Sequence, residues 1–257
     1  MAGVFITGAS SGLGAALAGH YAAGGERVGL VARRGDALQA VMRSLAEVPG
    51  GHLSYVADVG DAGALLTSAE DFIARAGLPR IVIANAGISV GTLTEHVEDI
   101  AAFAAIMRTN VLGMVATFQP FVAPMRAARC GTLAGIASVA GVRGIPGAGA
   151  YSASKAAAIT YLESLRVELR GSGVRVVTIC PGYIATPMTA VNRYAMPFLL
   201  SADEAARRIA RHIDRGTRYA VVPWQMAVVA RLMRLLPDAV YDRLAAKAGR
   251  KPRGLPL

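Results

Sequence analysis

Seven short apolar segments, separated by helix-like runs, leave this 257-residue chain few ways to fold. The segments are Gly3–Ile6, Arg27–Ala32, His52–Ala57, Arg80–Ala84, Gly131–Ala137, Val174–Cys180 and Tyr219–Val222. They are rich in Val and Ile and do not alternate strictly with polar residues. That pattern belongs to strands buried on both faces. Between them lie helical stretches near residues 12–23, 35–46, 61–76, 96–127, 150–170 and 202–214. Strand–helix alternation of this kind predicts an α/β fold, a doubly wound parallel sheet with helices on both faces. No linker, repeat or low-complexity tract divides the chain, so residues 1–257 read as one domain.

Composition removes several other classes. A chain 54% hydrophobic and 17% charged is neither disordered nor fibrous. Two cysteines, Cys130 and Cys180, cannot build a disulfide framework. The histidines (His20, His52, His96 and His212) lack metal-ligand spacing, so no metal is expected. The N-terminus has no basic, apolar leader. No stretch reaches ~18 uninterrupted apolar residues; the longest candidate, Tyr219–Leu236, carries Arg231 and Arg234. A cytoplasmic location with reduced cysteines is expected.

Half of the +10 net charge lies between Trp224 and Leu257, where seven basic residues face two acidic ones. A DNA-reading protein would carry its charge on a recognition element, so no nucleic-acid partner is expected. Residues 224–257 read as a basic amphipathic C-terminal region ending in a solvated tail. Core or oligomer packing is expected for Trp224–Leu236, and peripheral contact with an anionic membrane is the alternative.

Chemistry enters directly after the first strand, at Thr7-Gly8-Ala9-Ser10-Ser11-Gly12-Leu13-Gly14. Glycines there permit a tight turn and let backbone amides approach a pyrophosphate, and the following helix N-terminus adds partial positive charge. At the end of the second strand, NAD-binding chains usually present an acid to the ribose hydroxyls. Here Arg33 and Arg34 stand instead, with no acid until Asp36. An arginine suits the 2′-phosphate of NADP, so NADP(H) is the expected cofactor and NAD(H) the alternative.

Tyr151-Ser152-Ala153-Ser154-Lys155 opens a later helix and puts Tyr151 and Lys155 on one face. A neighbouring ammonium stabilises a phenolate, which suits the pair to proton transfer. Only three of the 27 lysine and arginine residues are lysines (155, 247 and 251), which marks Lys155 as a position needing an ammonium. Ser138 follows the fifth strand, where a hydroxyl faces the ligand crevice and can stabilise charge on a substrate oxygen.

As a set, Thr7–Gly14, Asp58-Val59, Asn85-Ala86-Gly87, Asn110, Ser138, Tyr151, Lys155 and Pro181-Gly182 with Thr186 resemble the short-chain dehydrogenase/reductase family in its single-domain form. The matches cover roughly positions 4 to 190. The resemblance implies a Rossmann-type sheet of seven strands and a single dinucleotide-binding and catalytic domain. It also implies a Ser138–Tyr151–Lys155 centre joined by Asn110. Tyr151 would protonate a carbonyl oxygen that Ser138 orients, after hydride transfer from nicotinamide. Lys155 would hold the nicotinamide ribose and depress the tyrosine pKa, and Asn110 would hold a water. The cofactor would be met by Gly8, Ser10, Ser11, Gly12, Leu13, Gly14, Arg33, Arg34, Asp58, Val59, Asn85, Ala86, Gly87, Pro181, Gly182, Ile184 and Thr186, besides Tyr151 and Lys155. Many NADP-using members carry a basic residue just before the second glycine, where this chain has Ser11. A homodimer or homotetramer is implied as well.

The activity so expected is NADP-dependent interconversion of a ketone or aldehyde and an alcohol. An NAD-dependent alcohol dehydrogenase and a non-catalytic dinucleotide sensor are the alternatives. Residues 183–200, with Tyr183, Ile184, Met188, Tyr194 and Met196–Leu200, form an apolar lid candidate that suggests a bulky, largely apolar substrate.

Overall fold

In the computed structural model, which describes residues 3–255, the seven expected strands all form. They are β1 (Val4–Thr7), β2 (Val28–Ala32), β3 (Leu53–Val56), β4 (Ile81–Ala84), β5 (Thr132–Ile136), β6 (Arg175–Pro181) and β7 (Tyr219–Val222). They pair side by side, all parallel, in the order β3-β2-β1-β4-β5-β6-β7. This is a Rossmann-type sheet. The order reverses between β1 and β4, and ligands of such sheets bind beyond the carboxyl ends of the strands at that reversal.

Ten α-helices are described: α1 (Gly12–Ala23), α2 (Gly35–Ser44), α3 (Ala62–Ala76), α4 (Asp99–Met107), α5 (Gly113–Ala128), α6 (Gly149–Glu168), α7 (Pro187–Ala190), α8 (Ala202–Arg215), α9 (Trp224–Leu235) and α10 (Asp238–Ala245). The sheet is covered on both sides. Leu17, Leu38 and Ile209, from α1, α2 and α8, join one apolar core with Ile6, Leu30 and Ile83. Phe72, Phe118 and Leu162, from α3, α5 and α6, join the other with Phe5, Val82 and Leu133. Strands β1, β2, β4 and β5 are buried along their whole length, which explains why their sequences are apolar apart from Thr7 and Thr132 at the strand ends.

The run expected as one helix over 96–127 is α4 and α5 joined by one π-helical turn, Arg108–Leu112. From Asp99 to Ala128 it is long and apolar enough to cross a membrane, yet Phe118, Phe121 and Met125 are fully buried against the sheet.

The basic tail corrects the sequence reading, because it is docked rather than solvated. Pro252 accepts a hydrogen bond from Gly91 N (2.9 Å). Arg253 pairs with Asp99 at 2.7 Å and Glu98 at 3.0 Å, and Leu255 packs on Val90, Ile106 and Ala150. Lys251 is buried, and its Nζ donates to Met188 O at 2.9 Å. Burial lowers the Lys251 pKa to about 8, as it does for Lys155. Lysines of the unfolded chain titrate near 10.5, so above pH 8 that chain binds more protons than the folded one. Stability should therefore rise from about pH 7.5 to about 9, where retention of the buried Cys180 thiol proton begins to oppose it. In urea melts across that range, Lys251→Met should show a shallower rise than the wild type. Equal slopes would contradict this origin.

Candidate active site

Beyond the carboxyl ends of β1, β4, β5 and β6 opens a cleft of about 630 Å³. Its floor begins with the glycine turn between β1 and α1. Gly8 has φ +68°, and a Cβ on it would lie 2.6 Å from Ala86 Cα. A Cβ on Gly14 would lie 2.2 Å from Gly8 O. Only glycine fits either position, and the turn is left open for a ligand's backbone-facing approach. Asn85 fastens the turn from β4, its Nδ2 donating to Thr7 O at 3.2 Å and Gly8 O at 3.1 Å. No side chain caps the start of α1, so its amides face the cleft as an anion site.

At the end of β2, Arg34 reaches back across this turn. Its Nη2 donates to Ser11 Oγ at 2.8 Å and Ser10 Oγ at 3.2 Å. Ser11 thus stands where a basic residue was wanting, and Arg34 delivers the charge to it from another strand. Arg33 lies 3.8 Å from Asp58, with both side chains about half exposed, a pairing of little energetic weight. Asp58 is further engaged by Gly60 N at 2.8 Å.

The far end of the cleft holds the candidate chemistry. Ser138 caps the short turn Val139–Gly141 after β5, its Oγ accepting from Ala140 N at 3.1 Å. Tyr151 and Lys155 project from the first turns of α6. Lys155 is 4% exposed, and its Nζ donates to Ile136 O at 2.8 Å. Burial raises the Tyr151 pKa above its ordinary value of 10, and hydrogen bonding to Ser138 opposes the rise. Lys155 was expected to depress that pKa. Instead its Nζ, 5.8 Å from the Tyr151 ring centroid, is drawn to the β5 carbonyl. The phenol is therefore protonated at neutral pH, the form needed to donate.

All the expected cofactor and catalytic residues line this cleft except Asn110. Asn110 is wholly buried in the π-helical turn, and its amide is spent on the protein. Oδ1 accepts from Ile88 N at 2.8 Å, while Nδ2 donates to Ile88 O at 3.0 Å and Ser154 Oγ at 2.9 Å. Ser154 Oγ in turn donates to Tyr151 O at 2.8 Å. The Asn110 side chain thus positions the Ile88 loop and the start of α6, and has no donor left for a water.

The lid candidate is also reshaped. Its ends are zipped by Ala185 N to Leu200 O (2.8 Å) and Leu200 N to Tyr183 O (3.1 Å). Ile184, Thr186 and Met188 line the cleft. Phe198 and Leu199 are about half exposed and do not line it. Thr186 and Thr189 form a reciprocal cap on α7, with Pro187 at its first turn; the Thr-Pro-x-Thr spacing could have announced it. Lys251, which ties Met188 to the tail, was also missed. The scarcity of lysine that singled out Lys155 applied to it equally.

A family profile described as short chain dehydrogenase matches residues 2–196. The chain belongs to the short-chain dehydrogenase family. A Myxococcus xanthus (strain DK1622) protein named as an uncharacterized oxidoreductase is 41% identical over 243 residues, covering 94% of this chain and 95% of that protein. The Arabidopsis thaliana 11-beta-hydroxysteroid dehydrogenase-like 3 is 30% identical, with 92% and 78% covered. The crystal structure of levodione reductase superposes with a TM-score of 0.78 at 26% identity, covering 88% of this chain and 98% of that one. This short-chain dehydrogenase is an oxidoreductase that uses a nicotinamide dinucleotide. The uncapped start of α1, the glycine cradle and the volume of the cleft fit that cofactor.

Proposed function

We propose that this short-chain dehydrogenase interconverts a bulky, largely apolar ketone and its alcohol with NADP(H). The observation that carries the reading is the convergence of Ser138, Tyr151 and Lys155 on one end of a cleft whose other end is Arg34 with two serines.

When bound, the reduced nicotinamide supplies a hydride to the carbonyl carbon. Ser138 Oγ hydrogen-bonds the substrate oxygen, and the protonated Tyr151 phenol delivers its proton as negative charge grows there. Lys155 holds the ribose hydroxyls, and its bond to Ile136 O fixes its reach. Arg34, Ser10 and Ser11 receive the 2′-phosphate. Asn110 keeps Tyr151 in place through Ser154.

Ile88, Ile184 and Met188 add apolar lining to the cleft, in accord with relatives named for a hydroxysteroid and for levodione. The exposed Ile100, Phe103 and Leu112 of the α4–α5 run, with Val167 of α6, offer an apolar face for a homodimer or homotetramer.

The test is a paired fluorescence titration with NADPH and NADH, followed by a carbonyl screen with the tighter cofactor. NADPH should bind at least about tenfold tighter, one charge-assisted hydrogen bond's worth. Bulky ketones should give higher kcat/KM than short polar keto acids. Equal or tighter NADH binding would overturn the cofactor assignment, and faster turnover of the polar acids would overturn the substrate assignment.

A further inference from the structure

We propose that the outward face of α9 docks this protein on an anionic lipid bilayer. The inward face of α9 is conventional, with Met226 and Ala230 buried against Val139 and with Val229 and Met233 partly buried. The opposite side should be polar on a helix meant only for water. At 100° per residue that side instead carries Trp224, Val228, Arg231, Leu232 and Leu235. The four apolar residues are 68%, 48%, 59% and 79% exposed. On α10, Val240 and Leu244 are exposed as well.

This face is held rigidly. Arg143 Nη1 donates to Met233 O (2.5 Å) and Leu236 O (2.7 Å) at the end of α9, and Nη2 pairs with Asp238 at 2.7 Å. The same guanidinium lies 3.9 Å from the Tyr241 ring centroid. One side chain thus locks the α9–α10 corner to the segment following Ser138, so the apolar face is presented as a fixed surface.

Charge selects the occupant. No acidic residue occurs between Gly216 and Pro237, whereas Arg218, Arg231 and Arg234 do. Arg243, Lys247 and Arg250 follow, all exposed, against Asp238, already paired with Arg143, and Asp242. Arg231 lies within the apolar face itself. A second copy placed on it by a twofold axis would bring Arg231 against its own counterpart with no carboxylate on that face. Lipid phosphates neutralise it, long arginine side chains reach head groups while their stems stay apolar, and tryptophan favours the same boundary.

The location suits the enzyme. Met226 is so close to the cleft floor that a Cβ on Gly182 would meet it at 2.7 Å. Docking therefore brings the active-site flank to the phase where apolar ketones concentrate. That last consequence rests on the proposed substrate, while the docking does not.

Trp224 is the only tryptophan in the chain and reports directly. The full-length protein is titrated with vesicles of phosphatidylglycerol and phosphatidylcholine, with pure phosphatidylcholine vesicles, and with vesicles carrying brominated acyl chains. Anionic vesicles should shift Trp224 emission to the blue, brominated chains should quench it, and pure phosphatidylcholine should do neither. Leu232→Glu and Arg231→Glu should each weaken partitioning by about tenfold or more. NADPH binding, read in the same samples, should be unchanged and reports separately on the dehydrogenase reading. No shift on anionic vesicles, an equal shift on neutral ones, or unaffected binding by both variants would overturn the proposal. A blue shift that grows with protein concentration in the absence of lipid would also overturn it, by assigning the face to a second copy.

Discussion

Tyr151→Phe should lower kcat for carbonyl reduction by about a thousandfold, within the range of 10²–10⁴ that positioned proton transfer supplies. The substitution deletes one oxygen from a side chain whose ring, at the start of α6, is retained. Fold and cofactor affinity should therefore survive, and the Kd for NADPH should stay within about threefold of wild type. The phenol is the proposed proton source, and burial favours its neutral form. The residual rate would come from Ser138, proposed to hydrogen-bond the substrate oxygen. Single-turnover measurement of NADPH oxidation, beside a binding titration of the same variant, checks both halves. Near-normal turnover would mean that the proton arrives from elsewhere. Lost NADPH binding would mean that Tyr151 is needed to hold the cofactor.

Arg34→Ala should raise the Kd for NADPH by about ten- to a hundredfold and leave that for NADH nearly unchanged. A charge-assisted hydrogen bond contributes about 1.5–3 kcal/mol, and each 1.4 kcal/mol is tenfold in affinity. Arg34 is the residue to choose, rather than Arg33, because Arg34 already reaches Ser10 and Ser11 at the mouth of the glycine turn. Arg33 leans toward Asp58 instead. Loss of NADPH and NADH affinity in equal measure would assign Arg34 to holding the turn. No loss of either would remove it from the cofactor site.

These two variants divide between what sequence reveals readily and what it hides. Tyr151 and Lys155 were legible because their relation is local. Four residues apart on one helix, they share a face whatever the surroundings. The strands were legible for a related reason, since a strand buried on both faces has to be apolar throughout. The glycine turn announced itself because no other residue type fits where a Cβ would strike Gly8 O or Ala86. Asn110 was found through resemblance, but its work was not. Its bonds run to Ile88, 22 residues away, and to Ser154, 44 away, and nothing local distinguishes Ser154 from its neighbours.

The amino-acid sequence alone thus determined the seven-strand parallel layout, the glycine cradle and the alignment of Tyr151 with Lys155, because each depends on short spacing and local sterics. Only the tertiary structure decided that Arg34 serves Ser11, that the tail locks Lys251 to Met188, and that α9 turns an apolar face outward. Those outcomes join residues 23 and 63 positions apart, or depend on which side of a helix a remote arginine, Arg143, clamps to the domain. Contacts of that range are set by how the packed layers meet, and no local pattern encodes where they meet.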